Sequence, residues 1–288
     1  MNNFKIIIFI FTIISVSFNG CGIIHYPIKG GAYKCHVKHP FLIAASKGDN
    51  NSVQEFVKDG ININMKECKK TAISYSVRNN NYNMFKYLVD NGAKVNNTLL
   101  TLAICNNNIE MNEFFKKQGA LKEPKNTKKA LRYAIFKKNL KGVKYLVENG
   151  VQLNNVEGNE ESLLSQPILN NDFEMLEFLI KNDADINHIK NVDHGTFFTL
   201  AIQGGNMKII KLLVENGAKL NIANTWGKTE LMTAAGYKNL EITKYLVENG
   251  ADINMKDNWG KNAMDYFERS SNVHDKNNMI NDFEKILK

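Results

Sequence analysis

"NTWGKTELMTAAGYKNLEITKYLVENGADIN", residues 224–254, reads as one complete structural unit. A turn at Trp226–Gly227 opens it. Thr229 stands where a helix N-cap belongs, and its hydroxyl can accept a first-turn N–H that would otherwise lack a partner. Leu231, Ala234 and Ala235 form the inner stripe of a short helix, and the two small alanines allow a neighbouring helix to approach closely. Gly236 and the Lys238–Asn239 pair turn the chain. Leu240, Ile242, Tyr245, Leu246 and Val247 then recur at helical spacing. Asn249–Gly250 ends this second helix, because Gly tolerates the left-handed conformation past a helix C-terminus. The closing "ADIN" leads out as a short extended segment.

The heart of this unit is repeated. "KYLVENG" occurs at 144–150 and at 244–250, "KLLVENG" at 211–217 and "KYLVDNG" at 86–92. The closing residues are Gly60, Gly92, Gly119, Gly150, Gly217 and Gly250, with Asp183 standing in once. They recur with a period of about 33, the mark of stacked copies of one supersecondary unit. The step from Gly92 to Gly119 is the short exception. Each copy is too small to bury its own apolar face, so neighbours must stack. The 288 residues are 43% hydrophobic and 23% charged, which is ordinary globular composition. Length alone allows one or two domains; the repeat points to one elongated domain.

The order of turn, helix, tight loop and helix, closed by "NGADIN", closely resembles the ankyrin repeat. The family's motif runs roughly G-x-T-P-L-H-x-A-A, then a helix with paired Leu or Val, then G-A-D/N-x-N. Gly227, Thr229, Leu231, Ala234, Ala235, Gly250, Ala251, Asp252 and Asn254 match it. The resemblance implies an all-α solenoid of two-helix repeats joined by short β-hairpin loops. Its units lie at about 36–64, 65–96, 97–121, 122–154, 155–187, 188–221 and 222–254, with a capping unit after them, so that the domain spans 36–288. The departures are informative. The family's Pro is replaced by Ala72, Leu99, Phe197 and Glu230; Pro40 keeps it, with His39 in place of Thr. The family's His is Ser74, Thr101, Arg132, Thr199 or Met232. That His bonds to the neighbouring loop, so its loss implies looser loops. Pro167 sits inside the fifth unit's first helix, where it costs about 3 kcal/mol, and predicts a shortened or kinked helix. The short step before Gly119 predicts a third unit without a full hairpin, and "HIKNVDHG" (188–195) lengthens the sixth.

The N-terminus reads differently. One Lys precedes Ile6–Phe18, a mainly apolar run. A membrane span needs about 20 residues, whereas a shorter run of about 7–15 behind a basic start makes a secretory signal. "SFNGC" (17–21) is similar to the lipobox of bacterial lipoproteins, whose Cys is lipidated and becomes the new N-terminus. Gly20 and Cys21 match, while Phe18 and Asn19 depart from it. This implies a signal peptide at 1–20, a lipid on Cys21, a tether at 21–35 broken by Pro27, Gly30 and Gly31, and an exported lipoprotein anchored at a bacterial cell envelope. Ordinary cleavage nearby and a retained anchor are the alternatives. A lipidated Cys21 leaves an odd number of thiols: Cys35, Cys68 and Cys105. A Cys68–Cys105 disulfide is possible but not predicted. Cys35, His36 and His39 fit no standard zinc spacing and read as linker and repeat start, not as a metal site.

The formal charge of +8 and pI near 9.1 favour acidic partners or an anionic surface. The basic residues are scattered apart from a small cluster at Lys122, Lys125, Lys128 and Lys129, and no stripe with interleaved aromatics marks a nucleic-acid site. No nucleophile elbow, zinc-protease helix or P-loop is present, so no catalytic residue, cofactor or metal ligand is assigned. Stacked repeats instead build an extended concave surface from hairpin tips and first helices, and ankyrin-family proteins bind other proteins there. The candidate contacts are Trp226 and Trp259, at equivalent tips, since Trp is enriched in interface hot spots; alternatively each packs over the adjacent hairpin. Lys66, Lys69 and Lys70 in one tip contrast with Glu157, Glu160 and Glu161 in another, a polarity that could orient a partner. Phe56, Tyr87, Phe114, Tyr145, Phe178 and Tyr245 recur on second helices and read as core. The expectation is a monomeric, non-catalytic protein-binding scaffold. The alternative is an accessory or neutralising subunit that blocks a partner enzyme or toxin.

Overall fold

A computed structural model describes residues 37–154, 162–187, 197–269 and 276–287, and the chain there is helix pair after helix pair. In order these are α1 (Pro40–Lys47) and α2 (Asn50–Lys58), α3 (Ala72–Arg78) and α4 (Tyr82–Asp90), α5 (Leu100–Asn106) and α6 (Ile109–Lys117), α7 (Pro124–Phe136) and α8 (Leu140–Glu148). Then follow α9 (Ser165–Leu169) and α10 (Phe173–Lys181), α11 (Phe197–Gln203) and α12 (Met207–Glu215), α13 (Glu230–Gly236) and α14 (Leu240–Glu248), α15 (Ala263–Arg269) and α16 (Lys276–Leu287). The chain divides between Ala130 and Leu131, inside α7, into two compact units.

Local chemistry repeats with the sequence. Asp49, Asn81, Asn108, Asn139, Asp172, Asn206 and Asn239 each cap a second helix, accepting an N–H from the residue three positions on. Thr229 caps α13 as the sequence suggests, taking the Met232 N–H. Its turn differs in detail: Gly236 stays in the helix, and Lys238, at φ 56°, makes the left-handed step. The residues that close the second helices are left-handed too, Gly250 at φ 95° and its stand-in Asp183 at φ 64°.

Within the first unit α1 packs on α3, α3 on α5, and α2 on α4. Within the second, α9, α11, α13 and α15 stack in that order, α10 packs on α12, and α14 on α16. The leucine of each "KYLVENG"-type phrase lies at the centre: Leu88, Leu146, Leu213 and Leu246 are fully buried. The aromatics at the flank of the second helices are not. Phe56, Tyr87, Phe114, Tyr145, Phe178 and Tyr245 are half-buried, which corrects their reading as core. One residue away from the buried leucine is about 100° around a helix, so these rings stand on the side of the stripe. There they meet the neighbouring repeat: Phe114 is edge-on to Phe85 at 5.0 Å, and Lys144 and Lys211 lie over the Phe178 and Tyr245 rings at 5.6 and 5.8 Å.

The irregular repeats follow their sequence. In the first, the His39 ring caps α1 by accepting the Phe41 N–H, with Pro40 at the first helical position. The third has no hairpin: Asn96 caps a single 3₁₀ turn, Asn97–Leu99, that runs straight into α5. The fourth has a first helix of 13 residues that periodicity did not indicate. Pro124 starts it, and the N–H that proline lacks costs nothing at that position. Glu123 joins these two repeats, accepting from the side-chain amides of Asn97 and Asn126 at 2.6 Å each. In the fifth repeat α9 is cut to 5 residues around the buried Pro167. The extra residues of the sixth lie outside the described residues.

The loops are not loose. An asparagine that leaves each regular repeat clamps the backbone of the next. Asn64 donates to the Gly92 carbonyl (3.2 Å) and accepts the Lys94 N–H (2.8 Å). Asn154 does the same to Asp183 and Asp185, Asn187 to Gly217 and Lys219, and Asn221 to Gly250 and Asp252. The closing Asn of the motif thus ties each of these loops to the next repeat. Replacing Asn64 by Ala should lower the stability of the full chain by about 1–2 kcal/mol, since two backbone groups lose their partner. Urea unfolding followed by circular dichroism measures it against Asn51→Ala, an exposed helix position expected to be near neutral.

Candidate binding surface at the hairpin tips

Asn224 and Asp257 build the same turn one repeat apart. Asn224 Oδ1 accepts the N–H groups of Trp226 (3.0 Å) and Lys228 (2.9 Å); Asp257 Oδ1 accepts those of Trp259 (2.9 Å) and Lys261 (2.8 Å). The chain reverses through left-handed Gly227 (φ 77°) and Gly260 (φ 74°). The two tips are also tied to each other. The Asn258 N–H donates to the Trp226 carbonyl and its side-chain amide to the Thr225 carbonyl, each at 3.0 Å. The approach is so close that a Cβ on Gly227 would stand 2.8 Å from the Asn258 nitrogen. On this fixed frame Trp226 is 49% exposed and Trp259 65% exposed.

A polar network underlies the tips. The Tyr266 hydroxyl donates to Asp257 Oδ2 at 2.7 Å, and Lys228 Nζ lies 4.5 Å above the Tyr266 ring. Burial, then the bond to Asp257 and its charge, pushes the Tyr266 hydroxyl up to about 12. Burial also draws the Lys228 ammonium below its ordinary value, against the opposing pull of Asp257. Burial alone would raise Asp257, but the Tyr266 bond and the Lys261 and Trp259 N–H groups outweigh it and hold the carboxyl low. Glu230, in the family's Pro position, is buried. Its Oε1 accepts the Asn221 N–H at 2.7 Å, and its Oε2 has no hydrogen-bond partner. Burial pushes this carboxyl up, only partly opposed by backbone N–H bonds.

The other candidates are placed less uniformly. Lys66 and Lys69 are exposed at the second repeat's tip, while Lys70 is half-buried with its ammonium 5.6 Å from the Tyr75 ring. Glu157, Glu160 and Glu161 lie outside the described residues, as do Cys21 and Cys35. Cys68 is disulfide-bonded and Cys105 keeps a thiol, so these two are not joined to each other. Among the described residues no group of three or more His, Cys, Asp or Glu is placed to hold a metal ion, and no helix is long and apolar enough to cross a membrane.

Sequence reasoning missed a set of exposed apolar residues. Ile109, Phe136, Leu169, Phe173 and Tyr237 are exposed where first helices turn into second ones. Helical periodicity does not report them, because they sit at helix ends where the inward stripe has stopped; apolar residues flanking the loop caps are the signal that was available.

Comparison with known proteins accounts for this architecture. A family model described as "Ankyrin repeats (3 copies)" matches residues 13–98, 95–157 and 164–257. The chain belongs to the ankyrin-repeat family. It is 28% identical over 155 residues to an ankyrin repeat protein of Acanthamoeba polyphaga mimivirus, covering 52% of this chain and 40% of the relative. Identity is 33% over 105 residues to alpha-latrotoxin-Lg1a of Latrodectus geometricus, 35% of this chain and 8% of the toxin. It is 33% over 96 residues to an ankyrin repeat protein of Rickettsia felis, 32% of this chain and 24% of the relative. The chain spans less than half the length of the curated relatives it matches. Ankyrin repeats are protein-interaction scaffolds, generally without catalysis.

Glu230 gives this site a pH signature. A native carboxyl raised above the unfolded value of 4.5 keeps a proton that the unfolded chain has lost, so stability falls as pH rises through that window. Glu230→Gln should therefore be more stable than the parent at pH 7, by on the order of 1 kcal/mol. The gap should close as pH drops below 4.5, where both chains are neutral at this position. Urea midpoints between pH 4 and 8 test this; a gap independent of pH, or a less stable variant at pH 7, contradicts it.

Proposed function

We propose that this chain is a non-catalytic binding protein of a bacterial cell envelope, exported by the segment 1–20 and anchored through a lipid on Cys21. It takes a partner protein on its hairpin tips and the adjoining first helices. The observation that carries the reading is the pair of exposed tryptophans on neighbouring tips whose backbones are bonded to one another. An exposed Trp is left in water without a packing reason, and it adds little entropy cost when a partner covers it, since its turn is already fixed. The family supports the general role, and the exposed tip tryptophans support the choice of place. Lys66 and Lys69 are a separate candidate contact in the first compact unit, and their positive charge suits an acidic partner.

Two measurements test separate parts. Protein retained from envelope extracts by the full chain should bind Trp226→Ala/Trp259→Ala about 30-fold or more weakly, the loss expected for a hot spot of about 2 kcal/mol or more. Both side chains are largely exposed, so the double variant should unfold at the parental temperature. Equal retention removes the tips from the site. If the retained partner is an enzyme or toxin that loses activity on binding, the chain is a neutralising subunit. For the anchor, radiolabelled palmitate should enter the wild-type chain in a bacterial host and not Cys21→Ser; equal label in both, or none in either, ends the lipoprotein reading.

A further inference from the structure

The charge of this chain is not spread evenly along it. Residues 122–144 hold nine Lys or Arg and one acid, Glu123, a net of +8 that equals the formal charge of the whole chain. The rest of the sequence is therefore neutral. The part of this run in the second compact unit is the end of α7, the turn after it and α8. From Leu131 to Val147 it carries Arg132, Lys137, Lys138, Lys141 and Lys144 and no Asp or Glu.

Helix-end chemistry explains only some of these. Lys137 and Lys138 follow the last residue of α7, where a cation offsets the negative end of the helix dipole. Lys141 stands in the first turn of α8, where the dipole opposes a cation. Glu110, Glu174 and Glu241 hold the same place in other second helices, as the dipole prefers. Lys138 also takes the left-handed step of its turn, at φ 55°, a step made by Asn80, Asn107 and Asn171 in other repeats. Lys138 and Lys141 thus sit where local structure disfavours them, and both are exposed.

An apolar group is set among these cations. Phe136 is 44% exposed. Its ring stacks with Tyr133 at 6.4 Å and 26°, and the Lys137 ammonium lies 5.6 Å from the Tyr133 ring and 5.7 Å from the Phe136 ring. The rings turn their faces to each other and to Lys137, so they offer no open platform for a nucleic-acid base. Four of the five cations are Lys, which protein interfaces disfavour and which lacks the fork that lets Arg grip a single carboxylate. Such a set suits a diffuse anionic surface with an apolar layer beneath it, where ammonium groups meet headgroup phosphates and an aromatic ring enters the boundary.

We propose that the turn between α7 and α8 docks the second unit on an anionic lipid bilayer, with Lys137, Lys138 and Lys141 against the headgroup phosphates and Phe136 in the interfacial layer. The contact uses none of the tip residues and does not rest on the lipoprotein reading. With a lipid on Cys21, it supplies the second signal that stable membrane attachment takes.

The test is co-sedimentation of the full chain with vesicles of phosphatidylcholine alone and of phosphatidylcholine mixed with phosphatidylglycerol. The apolar run 6–18 can bind either vesicle, so the readout is the ratio of anionic to neutral binding. That ratio should be about 100 or more at about 0.1 M salt and collapse near 1 M, where charges are screened within about 3 Å. Lys137→Gln/Lys138→Gln/Lys141→Gln should lower it about 100-fold, about fivefold per lysine. Lys138→Gln/Lys141→Gln, which changes only exposed side chains, should lower it about 25-fold and melt like the parent. Phe136→Ser should weaken anionic binding about tenfold. Lys208→Gln/Lys219→Gln/Lys256→Gln removes the same charge from exposed positions elsewhere in the unit and should leave the ratio within about threefold of the parent. A parent ratio near one, or equal losses in the two triple variants, overturns the proposal. Polyglutamate or a single-stranded oligonucleotide that strips the chain from the vesicles, with Phe136→Ser behaving as the parent, assigns the surface to an acidic polymer and overturns it too. Cys21→Ser should leave the ratio unchanged, which separates this contact from the anchor.

Discussion

The side-chain amide of one asparagine per regular repeat is the contact on which the loops depend. An ankyrin-type unit must expose its connecting backbone, and an exposed loop tends to be mobile. Asn64, Asn154, Asn187 and Asn221 each present a donor and an acceptor to two backbone groups of the next repeat, so that a single residue fixes the spacing between units. A hydroxyl could not span the two groups so well, and a carboxylate lacks the donor. The same amide chemistry works at the opposite end of the helices. Asn79 donates to the Ala45 and Ser46 carbonyls, Asn106 to the Val77 carbonyl, and Asn206 to the Asn171 side chain.

The dependence of each loop on the following repeat separates what the sequence revealed from what it concealed. The recurring period, the leucine of the repeated phrase and the Thr229 cap are local patterns, and they were legible for that reason. The shortened α9 followed from one residue, Pro167, and the missing third hairpin from one short step. The lost His positions suggested loose loops because the bonds of the motif's closing Asn, which reach into the following repeat, were not foreseen. The motif marks this Asn as a closing residue, but its spacing does not say that its donor and acceptor both meet backbone one repeat on. The aromatic flank was misread for a related reason. Position within the helix gives the face, but the face adjoining the next repeat is neither core nor solvent, and only the stacked neighbour shows that a lysine stem and a ring meet there.

The tips were legible as positions and not as a mechanism. Equivalent Trp-Gly pairs identified Trp226 and Trp259, yet the feature that makes them useful is the Asn258 bond between tips, which arises from the close approach that Gly227 permits. The lysine side of the expected charge contrast is present at Lys66 and Lys69, but Lys70 is turned inward onto Tyr75, and this weakens that tip as a simple basic patch.

Stability in a repeat stack is a sum of unit and nearest-neighbour terms, so strain at one tip must be met locally. The seventh repeat meets it with Asx turns, inter-tip backbone bonds and the half-buried Lys228–Tyr266–Asp257 network, even while carrying Glu230, whose unpartnered oxygen is a net cost at neutral pH. Tryptophans on a turn held that firmly keep few conformations to lose. Affinity at such a surface then comes less from area than from contacts made without reordering the backbone, which is why the proposal puts the partner on the pair at 226 and 259 and not on the scattered apolar residues at the interhelical turns.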